Sequence, residues 1–277
     1  MTKDPAFPLQ CPVCRDNLQP DAHGLACAAG HRFDAAREGY VNVLLSHHRK
    51  SNQAGDSPEM IASRQAFLDG GHYDPLVHAL CAATKPLDPK VVLDAGCGTG
   101  HFLAALAAQH PDARCCGIDI SKPGIKAAAK AFPGHHWIIA NFMRELPVKS
   151  DTVDVLLNLM SPRKVEEFAR VLKKDGRMIM LVPGAEHLEE LRAILMENPA
   201  DDIDKAARAE AACAAHFMLL DRQVVAFDLD LDGPQMRQLI GMTPLTWKAS
   251  RSGMAAAEER ENLQVKARFE LLVFKRT

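Results

Sequence analysis

The spacing of apolar and polar positions changes character along this chain. Residues 1–45 show no helical period and are rich in Cys, Gly and Pro, the pattern of a compact unit held by a metal. Residues 46–57 are polar, contain Gly55-Asp56, and read as a flexible connector. Ser57-Pro58-Glu59 then opens a helix, with Ser as the cap and Pro at the first helical position. It runs through Met60, Ile61, Ala66 and Phe67 and stops at Gly70-Gly71.

From Lys90 onward the period switches back and forth between that of strands and that of helices. Strands are expected over 91–94, 115–120, 137–140, 153–160 and 177–182. Helices are expected over 101–109, 122–132, 163–173 and from about 186. Such βα alternation predicts a parallel sheet with helices on both faces, closed by two later strands over 224–231 and 265–275. No run approaches 18 apolar residues and the start, Met1-Thr2-Lys3-Asp4, has no apolar signal core, so the expected setting is cytoplasmic, with no membrane. There the eight cysteines are not expected to form disulfides.

Net charge is −2, which does not by itself point to nucleic acid. Its distribution is uneven. Residues 201–232 carry eight acids against three bases, and residues 233–277 carry eight bases against four acids. A short basic run, His47-His48-Arg49-Lys50-Ser51, follows the first unit. Each of these is either a solvated face or a place for a charged partner.

The chemistry is concentrated in two motifs. Val91-Val92-Leu93-Asp94-Ala95-Gly96-Cys97-Gly98-Thr99-Gly100 leaves a strand through a glycine-rich turn that lets backbone approach a cofactor. A dinucleotide fingerprint needs its third glycine one position later, whereas this spacing matches the loop of class I methyltransferases that use S-adenosylmethionine (SAM). Asp119 lies 19 residues past Gly100, at the tip of the next strand, where a carboxylate can accept both ribose hydroxyls. Asn141, past the third strand, is placed to contact adenine or else to cap a helix, and Phe142 could pack on the ring. In the N-terminal unit, Cys11-x-x-Cys14, twelve residues, then Cys27-x-x-x-His31 provides three thiolates and an imidazole. That set suits a closed, structural Zn²⁺ site, with unligated thiols, or His23 in place of His31, as the alternatives. Cys81, Cys97, Cys115, Cys116 and Cys213 are scattered and read as small core residues.

Further motifs carry a resemblance. Gly30-His31-Arg32-Phe33-Asp34, Arg37-Glu38-Gly39-Tyr40-Val41-Asn42-Val43-Leu44, Gly55-Asp56-Ser57-Pro58-Glu59-Met60 and Phe67-Leu68-Asp69-Gly70-Gly71-His72-Tyr73 follow Cys-Pro-x-Cys in order. Asp119-Ile120-Ser121-Lys122, Pro183-Gly184 with His187-Leu188, and Met242-Thr243-Pro244 continue the series. Together they closely resemble bacterial 23S rRNA (guanine-N1)-methyltransferases of the RlmA type, over nearly the whole chain.

The resemblance implies a class I methyltransferase, Rossmann-like with a mostly parallel seven-stranded sheet, over residues 73–277. It is preceded by a zinc module over 1–45 and a linker and helix over 46–72. It implies zinc on Cys11, Cys14, Cys27 and His31, and SAM contacts from Tyr73, Gly98, Thr99 and His187, added to Asp94, Gly96, Gly100, Asp119 and Asn141 from the loop reading. Tyr73 and His187 carry no signal of their own. The implied substrate is a guanine at position 745 or 748 of 23S rRNA, and the implied assembly a homodimer.

One stretch departs from the family pattern: Asn158-Leu159-Met160-Ser161-Pro162-Arg163 stands where a Tyr-Ala-Pro-Cys-like sequence is expected. It also lacks the Asn/Asp-Pro-Pro-aromatic signature of exocyclic-amine methylation and the Pro-Cys thiol of pyrimidine C5 methylation. No general base identifies itself. A small-molecule methyltransferase, or a zinc-containing RNA-binding protein with an inactive methyltransferase domain, are the other readings.

Overall fold

The computed structural model describes residues 6–45, 55–197 and 204–277. The basic run 47–51 and most of the expected connector therefore lie outside the described residues, as does the start of the acidic stretch.

The sheet grows from the buried run Val91–Ala95 (β5), whose side chains alternate between the cores on the two faces: Val91, Leu93 and Ala95 enter one, Val92 the other. Uninterrupted apolar character is what a strand covered on both faces requires. Around it lie Arg114–Asp119 (β6), His136–Ile139 (β7), Val153–Leu159 (β8) and Leu172–Pro183 (β9), all parallel. Phe217–Asp232 (β10) and Asn262–Arg276 (β11) close one side antiparallel, in the order β10-β11-β9-β8-β5-β6-β7.

The N-terminal unit contains Gln19–Pro20 (β1), Gly24–Ala26 (β2) and Arg32–Asp34 (β3), a three-stranded antiparallel sheet, followed by Val41–Asn42 (β4). The expected seven strands are eight, because β4 leaves the small sheet and pairs parallel to β7, Val41 opposite Ile138 and Asn42 opposite Ile139. Phe7, Leu9, Leu18 and Leu25 share a core with Leu93, Ile118, Leu146 and Val148, and the Gln10 N–H donates to the Pro147 carbonyl. This unit cannot bury enough apolar surface alone, so it borrows the large sheet's face.

Helices Pro58–Asp69 (α1), Asp74–Thr84 (α2), His101–Gln109 (α3), Lys122–Ala131 (α4) and Val165–Val171 (α5) cover the faces. The helix expected from about residue 186 is Glu189–Leu195 (α6). The chain before it is pinned as a turn: the Gly184 and Leu188 N–H groups donate to Arg268 and Lys266 carbonyls of β11, and Leu188 is left-handed at φ 53°. Lys205–Cys213 (α7), Gly233–Met242 (α8) and Arg251–Glu258 (α9) were not apparent from periodicity. α8 announces its start chemically, through a reciprocal capping box between Asp232 and Gln235. α1 begins as expected, with the Ser57 hydroxyl accepting from the Met60 N–H at 3.3 Å, and packs against α8.

Candidate active site and metal centre

The strand order reverses at β5: the chain moves outward to β6 and β7, then returns to β8 on the other side. Ligands of open α/β sheets sit at such a point, beyond the carboxyl ends of the strands. A cleft of about 940 Å³ lies there.

Its floor is the glycine loop after β5. Gly96 has φ +93°, and a Cβ on it would stand 2.4 Å from Ser161 Oγ. Gly100 has φ +77°, and its Cβ would stand 2.3 Å from the Trp137 ring. The two glycines therefore serve different neighbours: Gly96 lets the loop close on the turn after β8, while Gly100 lets Trp137 pack beneath α3. Gly96, Gly98 and Thr99 line the cleft; Gly100, also expected to contact cofactor, is behind it.

Asp119 accepts from the Gly98 N–H at 2.9 Å through Oδ2 and from the Ser121 N–H at 2.8 Å through Oδ1. Each oxygen keeps acceptor capacity for a hydroxyl. Burial pushes its carboxyl up, and the two backbone bonds only partly oppose that. Asp94 is buried beside it, with Oδ1 meeting no hydrogen-bond partner; burial, and then the charge of Asp119, push it up to about 8. Two crowded carboxylates, one with an orphaned oxygen, form a site for a cationic ligand. SAM, which carries a sulfonium and an ammonium, fits that demand.

Asn141 lines the cleft, and its Oδ1 accepts from the Met143 N–H at 3.2 Å, closing a turn; no helix starts there for it to cap. Phe142 is buried, lines the same wall, and lies 6.2 Å from the Phe168 ring. Tyr73 and His187, which no pattern singled out, both line the cleft. Tyr73 is buried edge-on to Phe67 and Phe269 at 5.2 and 5.4 Å, and burial pushes its hydroxyl well up. The His187 ring lies tilted against Phe269, centroids 4.2 Å apart, and its Nδ1 accepts from the Arg268 N–H at 3.2 Å. Burial first, then Lys205 and Arg192, pull its pKa down to about 3, so it is neutral at pH 7 with its proton assigned to Nε2.

The turn that departs from the family pattern forms the wall beside the loop. Asn158 is buried and donates from Nδ2 to the Ala95 carbonyl at 3.2 Å, Ser161 Oγ at 2.6 Å and the Pro162 carbonyl at 2.9 Å. The Ser161 hydroxyl donates to the Ala95 carbonyl at 2.8 Å, which makes it a strut between β8 and the loop rather than a nucleophile. Arg163 lines the cleft just beyond.

Sequence reasoning missed the contribution of the connector's end and of the helix after it. Asp56, Met60, Arg64 and Leu68 line the cleft. Gly55 is held against Ser121, and the Asp56 carbonyl accepts from the Ser121 hydroxyl at 2.9 Å, so this end is built structure, not linker. Arg64 pairs with Asp56 and donates to the Met242 carbonyl at 3.0 Å, tying α1 to the end of α8. The signals available were the charged helix start and the motif Gly55–Met60 that carries the resemblance. Cys97, expected in the core, also lines the cleft; Cys115, Cys116 and Cys213 are buried and Cys81 is half-buried.

In the N-terminal unit, the ligand atoms of Cys11, Cys14, Cys27 and His31 lie within 4.8 Å of one another. Cys14 Sγ is 3.6 Å from Cys27 Sγ, and His31 Nδ1 is 3.7 and 3.3 Å from Cys11 and Cys27 Sγ. A tetrahedron with metal–sulfur bonds of ~2.3 Å has edges of about that size. The imidazole is His31, not His23, whose backbone serves a turn at Asp21. The Asp16 backbone lowers the Cys14 thiol, but burial and the sulfurs of Cys11 and Cys27 outweigh it and push it up to about 11. Three crowded thiolates need a cation, and the set fits Zn²⁺ with no position left open.

Comparisons with known proteins agree with both centres. Residues 9–52 match the family model of the RlmA N-terminal zinc ribbon, and residues 92–176 that of a methyltransferase domain. A Streptomyces fradiae protein, the 23S rRNA (guanine(748)-N(1))-methyltransferase, is 34% identical over 89% of this chain and 88% of its own. A Micromonospora griseorubida protein named as a candidate 23S rRNA (guanine-N(1)-)-methyltransferase is 38% identical over 90% of each chain. Among solved structures, a chain from the Haloferax volcanii complex of the Trm112 methyltransferase activator with a candidate methyltransferase superposes with TM-score 0.53, at 22% identity, covering 80% of this chain and 98% of that one. The [4+2]-cyclase SpnF superposes at 0.51, at 18% identity, covering 73% and 80%, so the fold alone does not fix the reaction. The cleft, the zinc cluster and identity along nine-tenths of the chain together place this protein in the family of bacterial 23S rRNA (guanine-N1)-methyltransferases.

Proposed function

We propose that this chain transfers the methyl group of SAM to N1 of a guanine in a 23S rRNA hairpin, position 748 or 745, in the cytoplasm and as a homodimer. The observation that supports it best is the pairing, in one chain, of an RlmA-type zinc ribbon with a cleft whose acidic end suits SAM. Among the described residues no helix is long and apolar enough to cross a membrane. Residues 1–45 would form the zinc module and 73–277 the methyltransferase domain, with helix 58–69 serving the cleft as well as joining them.

Asp119 would take the ribose hydroxyls, Gly96 and Gly98 would leave room for the methionine portion, and Asp94 would face its positive charge. Asn141 and Phe142 would border the adenine, Thr99, Tyr73 and His187 the remaining walls, while Gly100 would act through Trp137. When bound, SAM supplies an already activated methyl, so the protein's task is alignment. Guanine N1 must lose its proton as it attacks, and negative charge then builds on O6. The neutral His187, whose Nδ1 is already engaged, is a donor in this arrangement and not the base. Arg163, which lines the cleft beyond the turn after β8, would stabilise O6. Zinc would hold the N-terminal unit folded and take no part in the chemistry.

The test is reverse-transcription stop mapping of 23S rRNA from cells with and without the active gene. N1-methylguanine blocks Watson–Crick pairing, so loss of the enzyme should remove one stop near 745 or 748. Persistence of every stop there, with purified protein labelling only small molecules from tritiated SAM, would refute the ribosomal reading.

A further inference from the structure

The cleft is roomier than its acidic corner, and its lining is uneven in charge. All three acids that line it, Asp56, Asp94 and Asp119, cluster at the glycine-loop end, and Asp56 is paired with Arg64. The rest of the wall carries Arg163, Arg192, Lys205 and Lys248 and no acid. Arg192 donates from Nη2 to the Ala185 carbonyl at 2.9 Å, yet its buried Nε has no hydrogen-bond partner among the described residues.

On the same cleft stands Trp247, in the short helical turn Pro244–Trp247 that follows α8, with Lys248 next in the chain. It is 75% exposed, the largest exposure of any bulky apolar side chain among the described residues. Its backbone is nonetheless fixed. The Thr246 hydroxyl donates to the Thr243 carbonyl at 3.3 Å, the Lys248 N–H to the Leu245 carbonyl at 3.0 Å, and the Ser250 N–H to the Leu195 carbonyl at 2.8 Å. Upstream, Arg64 holds the Met242 carbonyl and so connects this turn to the acidic end. Met143 and Met160, each 42% exposed, also line the cleft. A rigidly mounted indole left in water costs solvation and stabilises nothing in the fold. With Lys248 next to it and Arg192 and Lys205 lining the same cleft, it matches the way single-stranded RNA is held, bases stacked on aromatics and backbone neutralised by Lys and Arg.

We infer that Trp247 is the stacking platform for an unpaired base of the RNA substrate, with Lys248 and Arg192 neutralising the adjoining phosphates. This rests on the proposed RNA reading and names the surface that executes it. Neither the basic run 47–51 nor the net charge is needed for it.

The chain has two tryptophans, and the other, Trp137, is buried, so Trp247 should dominate any fluorescence change on binding. Titration of the full-length protein with a 23S rRNA hairpin that spans the target guanine should quench emission, and Trp247→Phe should abolish the quench. Trp247→Ala should lower kcat/KM for the hairpin by about 5- to 150-fold, the range for loss of one stacked base, with Trp247→Phe recovering most of it. SAM affinity and thermal midpoint should stay at wild-type values. Wild-type kcat/KM in Trp247→Ala, or a shift in sedimentation with hairpin affinity unchanged, would overturn the inference, the second outcome making Trp247 a contact between protein copies. If the wild-type protein is quenched by the hairpin but methylates none of it, the platform stands and the guanine-N1 reading fails.

Discussion

The zinc unit and the SAM cleft solve the problem of holding a site by opposite means. The first has strands of two or three residues and draws its order from four ligand atoms brought within 4.8 Å. The second has strands up to 16 residues long and a continuous apolar interior, and its site is what the ends of those strands leave open. Metal sites impose spacing on neighbours in sequence; a cleft at a strand-order reversal draws on residues from 55 to 248. That difference governs how each will fail and how each could be read.

The largest effect is expected from Cys14→Ser. Binding of a structural zinc is worth about 10–16 kcal/mol in finger-sized units, so removal of one thiolate should release the metal and expose residues 6–45 to proteases. Metal analysis should fall from about one zinc per chain toward none, while SAM calorimetry stays unchanged in protein that survives. A zinc-free wild type with four rapidly reacting thiols would break the comparison, because the unit would then stand on its borrowed core alone.

On the other side, Trp137→Ala should cost about 3–5 kcal/mol in urea unfolding, since the ring fills the space that Gly100 and Gly117 leave for it. The same truncation at exposed Trp247 should stay within about 0.5 kcal/mol, which separates a packing tryptophan from a binding one. A large loss at both positions would mean that the turn at 244–247 is part of the core.

These contrasts explain what could be read in the sequence. Cys11, Cys14, Cys27 and His31 are separated by short gaps, and the loop from Asp94 to Gly100 with Asp119 is one βα unit, so both were visible as local patterns. The strand at Val41–Asn42 was not, because only pairing with β7 makes two residues a strand. Arg64 and Trp247 reach the cleft from a helix and a turn where neither residue belongs to a quoted motif, and α1 packed against α8 brings those elements together. Asn158 and Ser161 looked like a departure from pattern; their bonds to the Ala95 carbonyl show a brace that the motif alone could not convey.

Asp119→Ala should weaken SAM by about 1.5–3 kcal/mol, as a charged acceptor is removed from two hydroxyls. Zinc content should not change, which sharpens the independence of the two centres. Calorimetry giving wild-type affinity would remove Asp119 from the cofactor site.

The smallest and most specific effect concerns Asp94. Its carboxyl is raised to about 8 by burial and by Asp119, so in the ligand-free protein at pH 7 it is mostly protonated. The unfolded chain releases that proton near pH 4, so the folded state holds more protons between about pH 4 and 8, and stability falls as pH rises through that window. A bound cation reverses the preference by favouring the carboxylate. SAM binding at pH 7 should therefore expel close to one proton, and affinity should rise with pH up to about 8 and level off above it. Calorimetry in two buffers of different ionisation enthalpy measures the proton directly. Asp94→Asn should remove the release and the pH dependence while also flattening the fall in thermal midpoint between pH 6 and 8. If proton release persists in that variant, the titrating group is Asp119 or a neighbour, and the acidic end of the cleft works through a different carboxylate than the orphaned oxygen of Asp94 indicates.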